Sequence, residues 1–153
     1  KVQIPTEFSA GFSIKKRDKW LVGFDYVRQD WQDSFFGETP GVDFKPAAAS
    51  SFRAGFEYIP NRYDIRYYLK RVTYRIGAYY DQTYVNLNGR QVNAAGFTLG
   101  MSMPIFRWYN ALTWSVDLGQ RGSLKDDMVK ENYVQVNINF NLHDMWFIKK
   151  RYQ

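Results

Sequence analysis

Tyr133-Val134-Gln135-Val136-Asn137-Ile138-Asn139-Phe140-Asn141-Leu142 alternates without error. Val134, Val136, Ile138, Phe140 and Leu142 share one phase, and Tyr133, Gln135, Asn137, Asn139 and Asn141 share the other. A period of two marks a β-strand whose faces meet different solvents. A soluble sheet would turn the apolar phase to a core. A transmembrane β-barrel would turn it to lipid and line a polar lumen with the amides.

Working outward, the same alternation predicts seven strands, at about 7–15, 19–30, 51–59, 72–82, 92–103, 109–121 and 132–142, with no helical periodicity anywhere. The apolar phase runs through Phe8, Phe12 and Ile14, then Trp20, Val22, Phe24 and Tyr26, then Phe52, Phe56 and Tyr58, then Tyr74, Ile76 and Tyr80, then Phe97, Leu99 and Met101, then Leu112, Trp114, Val116 and Leu118. None of these named residues is charged. The opposite phase holds Asp25, Arg53, Glu57, Arg75, Asp117 and Arg121, and with Gln135, Asn137 and Asn139 these are the candidate lumen-facing network. Arg53, Arg75 and Arg121 have Asp25, Glu57 and Asp117 as candidate ion partners. Six of the seven strands also carry a polar-phase glycine, expected where a barrel wall is crowded or bent on its inner side.

Composition narrows the choice further. At 153 residues the chain suits one domain, and it has no cysteine for a disulfide or thiolate metal site. No apolar run approaches the roughly 18 to 20 residues of a membrane helix. Aromatics make up 19% of the chain, more than a small soluble domain usually buries, and rings with one wet end gather at membrane interfaces. Trp20, Tyr58 and Trp108 toward one end of the strands, and Tyr26 and Tyr80 toward the other, are the candidate interface aromatics.

Connection lengths are expected to alternate: short near 16–18 and 104–108, long over 31–50, 82–91 and 122–131, with 60–71 longer than a tight turn. Short turns on one rim and long loops on the other fit an outer-membrane barrel with its short turns and C-terminus in the periplasm. The domain expectation is therefore barrel strands and loops over 1–142 and a periplasmic tail over 143–153. The short-turn rim gathers Lys15, Lys16, Arg17, Lys19, Arg62, Arg66, Lys70, Arg71, Arg107, Lys149, Lys150 and Arg151 against Asp18, Asp64 and Asp144, while the long-loop rim is expected to carry Asp30, Asp33, Glu38, Asp43, Asp81, Asp126, Asp127 and Glu131 with fewer bases. A basic short-turn rim suits anionic head groups or an acidic partner. Because single-chain bacterial barrels have even strand numbers, seven strands predict the C-terminal portion of a larger barrel.

Ile4-Pro5-Thr6-Glu7-Phe8-Ser9-Ala10-Gly11-Phe12-Ser13, then Lys19-Trp20-Leu21-Val22-Gly23-Phe24-Asp25-Tyr26 and Asp30-Trp31, resemble the long-chain fatty acid transporters of the FadL/TodX type. Ser51-Phe52-Arg53-Ala54-Gly55-Phe56-Glu57-Tyr58 and Tyr74-Arg75-Ile76-Gly77-Ala78-Tyr79-Tyr80-Asp81 resemble the next hairpin, and the tail from Asn141 to Lys150 is similar to Bacteroidota members. The resemblance implies the last seven strands of a fourteen-stranded barrel, passive movement of a hydrophobic small molecule, and no ligand residue that can be carried onto this sequence.

Catalysis and cofactors are not expected. His143, the only histidine, has no partners placed by the sequence for a triad or a metal. Asp126, Asp127 and Glu131 do not match a Ca²⁺ loop, Asn88-Gly89 reads as a hairpin turn, and the basic, tyrosine-rich stretch 62–71 is one turn rather than a nucleic-acid platform. Three functions remain: a channel for hydrophobic molecules, a non-transporting subunit of a larger outer-membrane complex for secretion or barrel assembly, and a soluble barrel with an internal cavity.

Overall fold

The computed structural model describes residues 5–32, 44–87, 90–105, 110–123 and 129–142. They form one antiparallel sheet from β1 (Thr6–Lys16), β2 (Trp20–Asp30), β3 (Phe44–Pro46), β4 (Ala49–Tyr58), β5 (Thr73–Leu87), β6 (Arg90–Pro104), β7 (Ala111–Gly122) and β8 (Lys130–Asn141). The order is β1-β2-β4-β5-β6-β7-β8, with β3 added to the upper part of β5. The all-β, antiparallel expectation holds. β1 and β8 are the edges of an open sheet.

Register carries the two phases across the whole sheet. One polar row runs Gly11, Asp25, Arg53, Tyr79, Gly96, Gly119, Tyr133, and the next runs Ser13, Gly23, Gly55, Gly77, Thr98, Asp117, Gln135. On the other face Ile14, Val22, Phe56, Ile76, Leu99, Val116 and Val136 make one continuous apolar row. A slip of one residue at any pairing would exchange the faces of that strand. Hydrophobic alternation and register therefore specify each other.

The apolar face is not covered by protein. Among the described residues Ile59, Val72 and Ala94 are the buried hydrophobic ones, whereas Phe12 is 59%, Ile138 73% and Val136 62% exposed. Total accessible surface is 12366 Å², against about 8,100 Å² expected for a compact soluble chain of 18.1 kDa. A soluble monomer rarely leaves more than a few hundred Å² of contiguous apolar surface in water. Lipid is the solvent this face fits. An apolar groove of about 430 Å³ runs along it between Phe56, Tyr58, Tyr74, Leu99, Met101 and Trp114, and among the described residues no helix is long and apolar enough to cross a membrane.

Rings edge this face at both ends. Trp20, Tyr58, Tyr74 and Trp114 share one row with Met101 toward the short-turn rim, and Tyr26, Phe52 and Tyr80 share another toward the opposite rim. Trp20 and Tyr26 lie six positions apart, about 20 Å along the extended strand, so the two ring rows border the inner part of an apolar band about 25 Å tall once strand tilt is counted. Tyr26 and Phe52 have ring centroids 4.8 Å apart. Trp108 lies outside the described residues.

Two sequence expectations change. The stretch 82–91 is not a long loop: β5 and β6 continue until Leu87 pairs with Arg90, leaving two residues between them. The 31–50 connection contains a strand, because β3 pairs with β5 and Ala47 N donates to Tyr84 O at 2.9 Å. Gln91 Nε2 donates to Ala48 O at 2.7 Å and to Thr83 O at 2.6 Å, binding this connection to the hairpin. Single-sequence periodicity missed β3 because three residues contain too few alternations to register.

Candidate functional site: the polar face and the short-turn rim

Glycine shapes the polar face where tyrosines lie down on it. Tyr79 on β5 sits opposite Gly96 on β6, and Tyr133 on β8 sits opposite Gly119 on β7. A Cβ at Gly96 or Gly119 would collide with the phenol end, Cζ, Oη and Cε1, of the facing tyrosine. The bare backbone thus lets both rings cross neighbouring strands until their hydroxyls hydrogen-bond each other. Tyr79 OH also lies 3.2 Å from Asp117 Oδ1 and 3.3 Å from Oδ2. Three strands are tied together on this face.

The other polar-face residues are placed as follows. Arg75 Nε donates to Glu57 Oε2 at 2.8 Å. Arg53 stands opposite Asp25 in register, but its Nη2 lies 4.0 Å from Asp81 Oδ1, which also accepts from Ser51 Oγ. Asp25 lies over Gly11. Arg121 faces Glu131 across the β7–β8 pairing, Gln135 Nε2 donates to Asn137 Oδ1 at 3.0 Å, and Asn139 stands opposite Thr113. Asp25, Arg53, Glu57, Arg75 and Tyr79 surround a trough of about 510 Å³ floored by Gly23, Gly55 and Gly77. Sequence reading did not single out Tyr79 or Asp81 because their role depends on register, which places Tyr79 beside a glycine.

The short-turn rim is more elaborate than its name. Lys16 and Trp20 close the first turn, with Lys19 N donating to Lys16 O at 3.1 Å and Asp18 at φ 57, a left-handed conformation that aspartate tolerates better than most residues. Its carboxylate then captures the next connection: Arg62 Nη1 reaches Asp18 Oδ1 at 3.1 Å and Tyr63 OH reaches Oδ2 at 3.3 Å. Ile59 N donates to Lys19 O at 2.7 Å.

Asp64 organises the interior of that connection. Its Oδ1 accepts from Tyr67 N at 2.7 Å and Arg66 N at 2.9 Å, and its Oδ2 lies 3.5 Å from Lys70 Nζ. The Tyr67 amide, followed by the charge of Lys70 and the Arg66 amide, holds the Asp64 carboxyl below its ordinary value despite some opposing desolvation. A short 3₁₀ turn, Tyr68–Arg71, follows. Asn61 N donates to Lys70 O at 2.8 Å, and Tyr68 OH donates to Pro104 O at 3.0 Å across the rim.

This ordered segment projects apolar side chains into solvent. Ile65 is 98% exposed and Leu69 66%, with Tyr63 and Tyr67 also exposed. Arg66 and Lys70 lie over the Tyr67 ring, 5.4 Å and 4.5 Å from its centroid. The segment thus presents an apolar tip inside a basic collar on backbone already fixed by hydrogen bonds. Arg107 and the basic residues of the tail lie outside the described residues, as do His143, Asp126 and Asp127. Among the described residues no three His, Cys, Asp or Glu side chains come together as a metal site.

A family model, BamG, matches residues 1–153. The chain belongs to the BamG family. No curated protein and no solved structure is matched by it. BamG is related to the outer membrane's barrel-assembly machinery, so this is an outer-membrane protein associated with that machinery. The match overturns the FadL/TodX resemblance, whose motifs have a common physical origin. Gly23-x-Asp25 and Arg53-x-Gly55-x-Glu57 are polar-phase residues of adjacent strands facing one trough. Such patterns follow from building a polar barrel wall, whatever it carries. For BamG the reading as a complex subunit stands above the fatty-acid transporter.

Proposed function

We propose that this chain is a non-enzymatic, non-transporting membrane subunit that gives a barrel-assembly complex a lipid-embedded wall and a periplasmic docking rim. The observation that carries the reading is the segment 59–72, where Ile65 and Leu69 stand exposed on backbone fixed by Asp18, Asp64 and Pro104. An exposed apolar side chain on a loose loop is ordinary. Two on an ordered knob with Arg62, Arg66 and Lys70 around them favour contact with an acidic protein surface, because binding there orders little that is not already ordered.

The test uses the full-length tagged protein extracted from its native outer membrane. Stoichiometric co-purification with barrel-assembly subunits is expected, and Ile65→Asp with Leu69→Asp is expected to abolish it while leaving membrane insertion intact. Unchanged co-purification of that variant would remove the docking assignment. Recovery of the wild type without any such subunit would remove the complex itself.

A further inference from the structure

Behind the docking segment, on the polar side of the sheet, lies a second feature of different chemistry. A cavity of about 210 Å³ is enclosed by Arg62 and Arg71 from the segment and by Glu57, Thr73, Arg75 and Ser102 from β4, β5 and β6. At roughly 30 Å³ per water, that is room for about seven waters. Its lining carries three guanidinium groups and one carboxylate. Glu57 is committed to Arg75, and Arg62 to Asp18.

Arg71 is different. Its Nε is buried with no hydrogen-bond partner among the described residues, although its guanidinium is held 5.0 Å from the Tyr68 ring centroid. Tyr68 is in turn fixed by its bond to Pro104 O, and the adjoining Val72 is fully buried. Arg71 is half-buried, so its charge keeps access to the cavity while one N–H lacks an acceptor, at the cost of a single unsatisfied donor. A guanidinium positioned in advance is suited to the two oxygens of a carboxylate.

We infer that this cavity receives an aspartate or glutamate side chain of a partner polypeptide, with Arg71 as its principal donor. This deepens the docking assignment and rests on it: Ile65 and Leu69 supply apolar contact outside while the carboxylate enters beside them. Phospholipid is the less suitable source, because Glu57, Thr73, Arg75 and Ser102 all project on the polar phase, opposite the face that meets acyl chains. The partner is thus an acidic segment with neighbouring apolar side chains.

The experiment follows the Arg71 Nε–H resonance in the full chain, labelled with ¹⁵N-arginine in detergent micelles and assigned by its loss in Arg71→Gln. Titrants are a blocked pentapeptide with a central aspartate flanked by leucines, its asparagine counterpart, inorganic phosphate and a short-chain phosphatidylglycerol. Saturable movement with the aspartate peptide is expected, with binding about tenfold or more weaker for the asparagine peptide and, followed at the Arg75 Nε–H that lines the same cavity, for Arg71→Lys. Equal response to the asparagine peptide, or no saturable response, overturns the inference. Tighter binding of phosphate or of the lipid overturns it too, in favour of a free anion or a head group. In native extraction, loss of partners with Ile65→Asp and Leu69→Asp but not with Arg71→Gln would refute the cavity and keep the complex, whereas a wild type without partners would refute the complex first.

Discussion

Replacing Gly96 by valine tests the geometry of the polar face in a single position. The new side chain would occupy the bed of the Tyr79 ring and force the phenol away from Asp117 and Tyr133. A bond to a carboxylate contributes about 1.5–3 kcal/mol and a neutral one about 1 kcal/mol, and solvent on this half-exposed face reduces both. Valine is the better strand residue, recovering up to about 1 kcal/mol. The net expected loss is about 2–3 kcal/mol. In a Tyr79→Ala background the clash and the bonds are already gone, so the same substitution should be neutral or slightly stabilising. Urea titration of the four proteins refolded into lipid vesicles gives the coupling energy, expected at about 2–4 kcal/mol. Additive effects, with Gly96→Val equally costly in both backgrounds, would show that Tyr79 does not lie across Gly96.

Val136→Arg on β8 should destabilise the membrane-inserted protein by about 2–4 kcal/mol, whereas Asn137→Arg next to it should change stability by under about 1 kcal/mol; vesicle unfolding measures both. Glu57→Gln removes an ion pair whose side chains are 29% and 47% exposed, so its cost should stay below about 1 kcal/mol in the same assay. Asp64 has a lowered folded-state pKa, so its contribution is complete above the ordinary value of 3.8 and is lost as pH falls through the lowered value. The protection factors of the Arg66 and Tyr67 amides, taken against their intrinsic exchange rates, should therefore fall in acid, and Asp64→Asn should remove that pH dependence; an unchanged acid response in the variant would contradict the role given to Asp64.

Alternation made the fold readable because each face meets one solvent over its whole length, so nearly every strand residue reports its side. Register was not readable residue by residue, and what depends on it escaped: Tyr79 needs Gly96 beside it, and Arg53 turns to Asp81 rather than to its direct neighbour Asp25. The segment 60–71 read as an overlong turn. Its order comes from Asp18, more than forty positions away in sequence, and from Asp64, whose spacing to Arg66 and Tyr67 was a local signal that went unused. Family was misread for a related reason. Glycines and charges at alternate positions describe a polar wall, and many walls share them.

A single-cysteine scan of β8 tests the central claim that the apolar phase meets lipid and leaves the rims as the protein-binding surfaces. The chain has no cysteine of its own, so one fluorophore at a time can be placed from Val134 to Asn141 in the native outer membrane. Lipid-borne quencher should act at 134, 136, 138 and 140, and aqueous quencher at 135, 137, 139 and 141. Aqueous quenching of both phases alike, or the reverse assignment, would contradict the account.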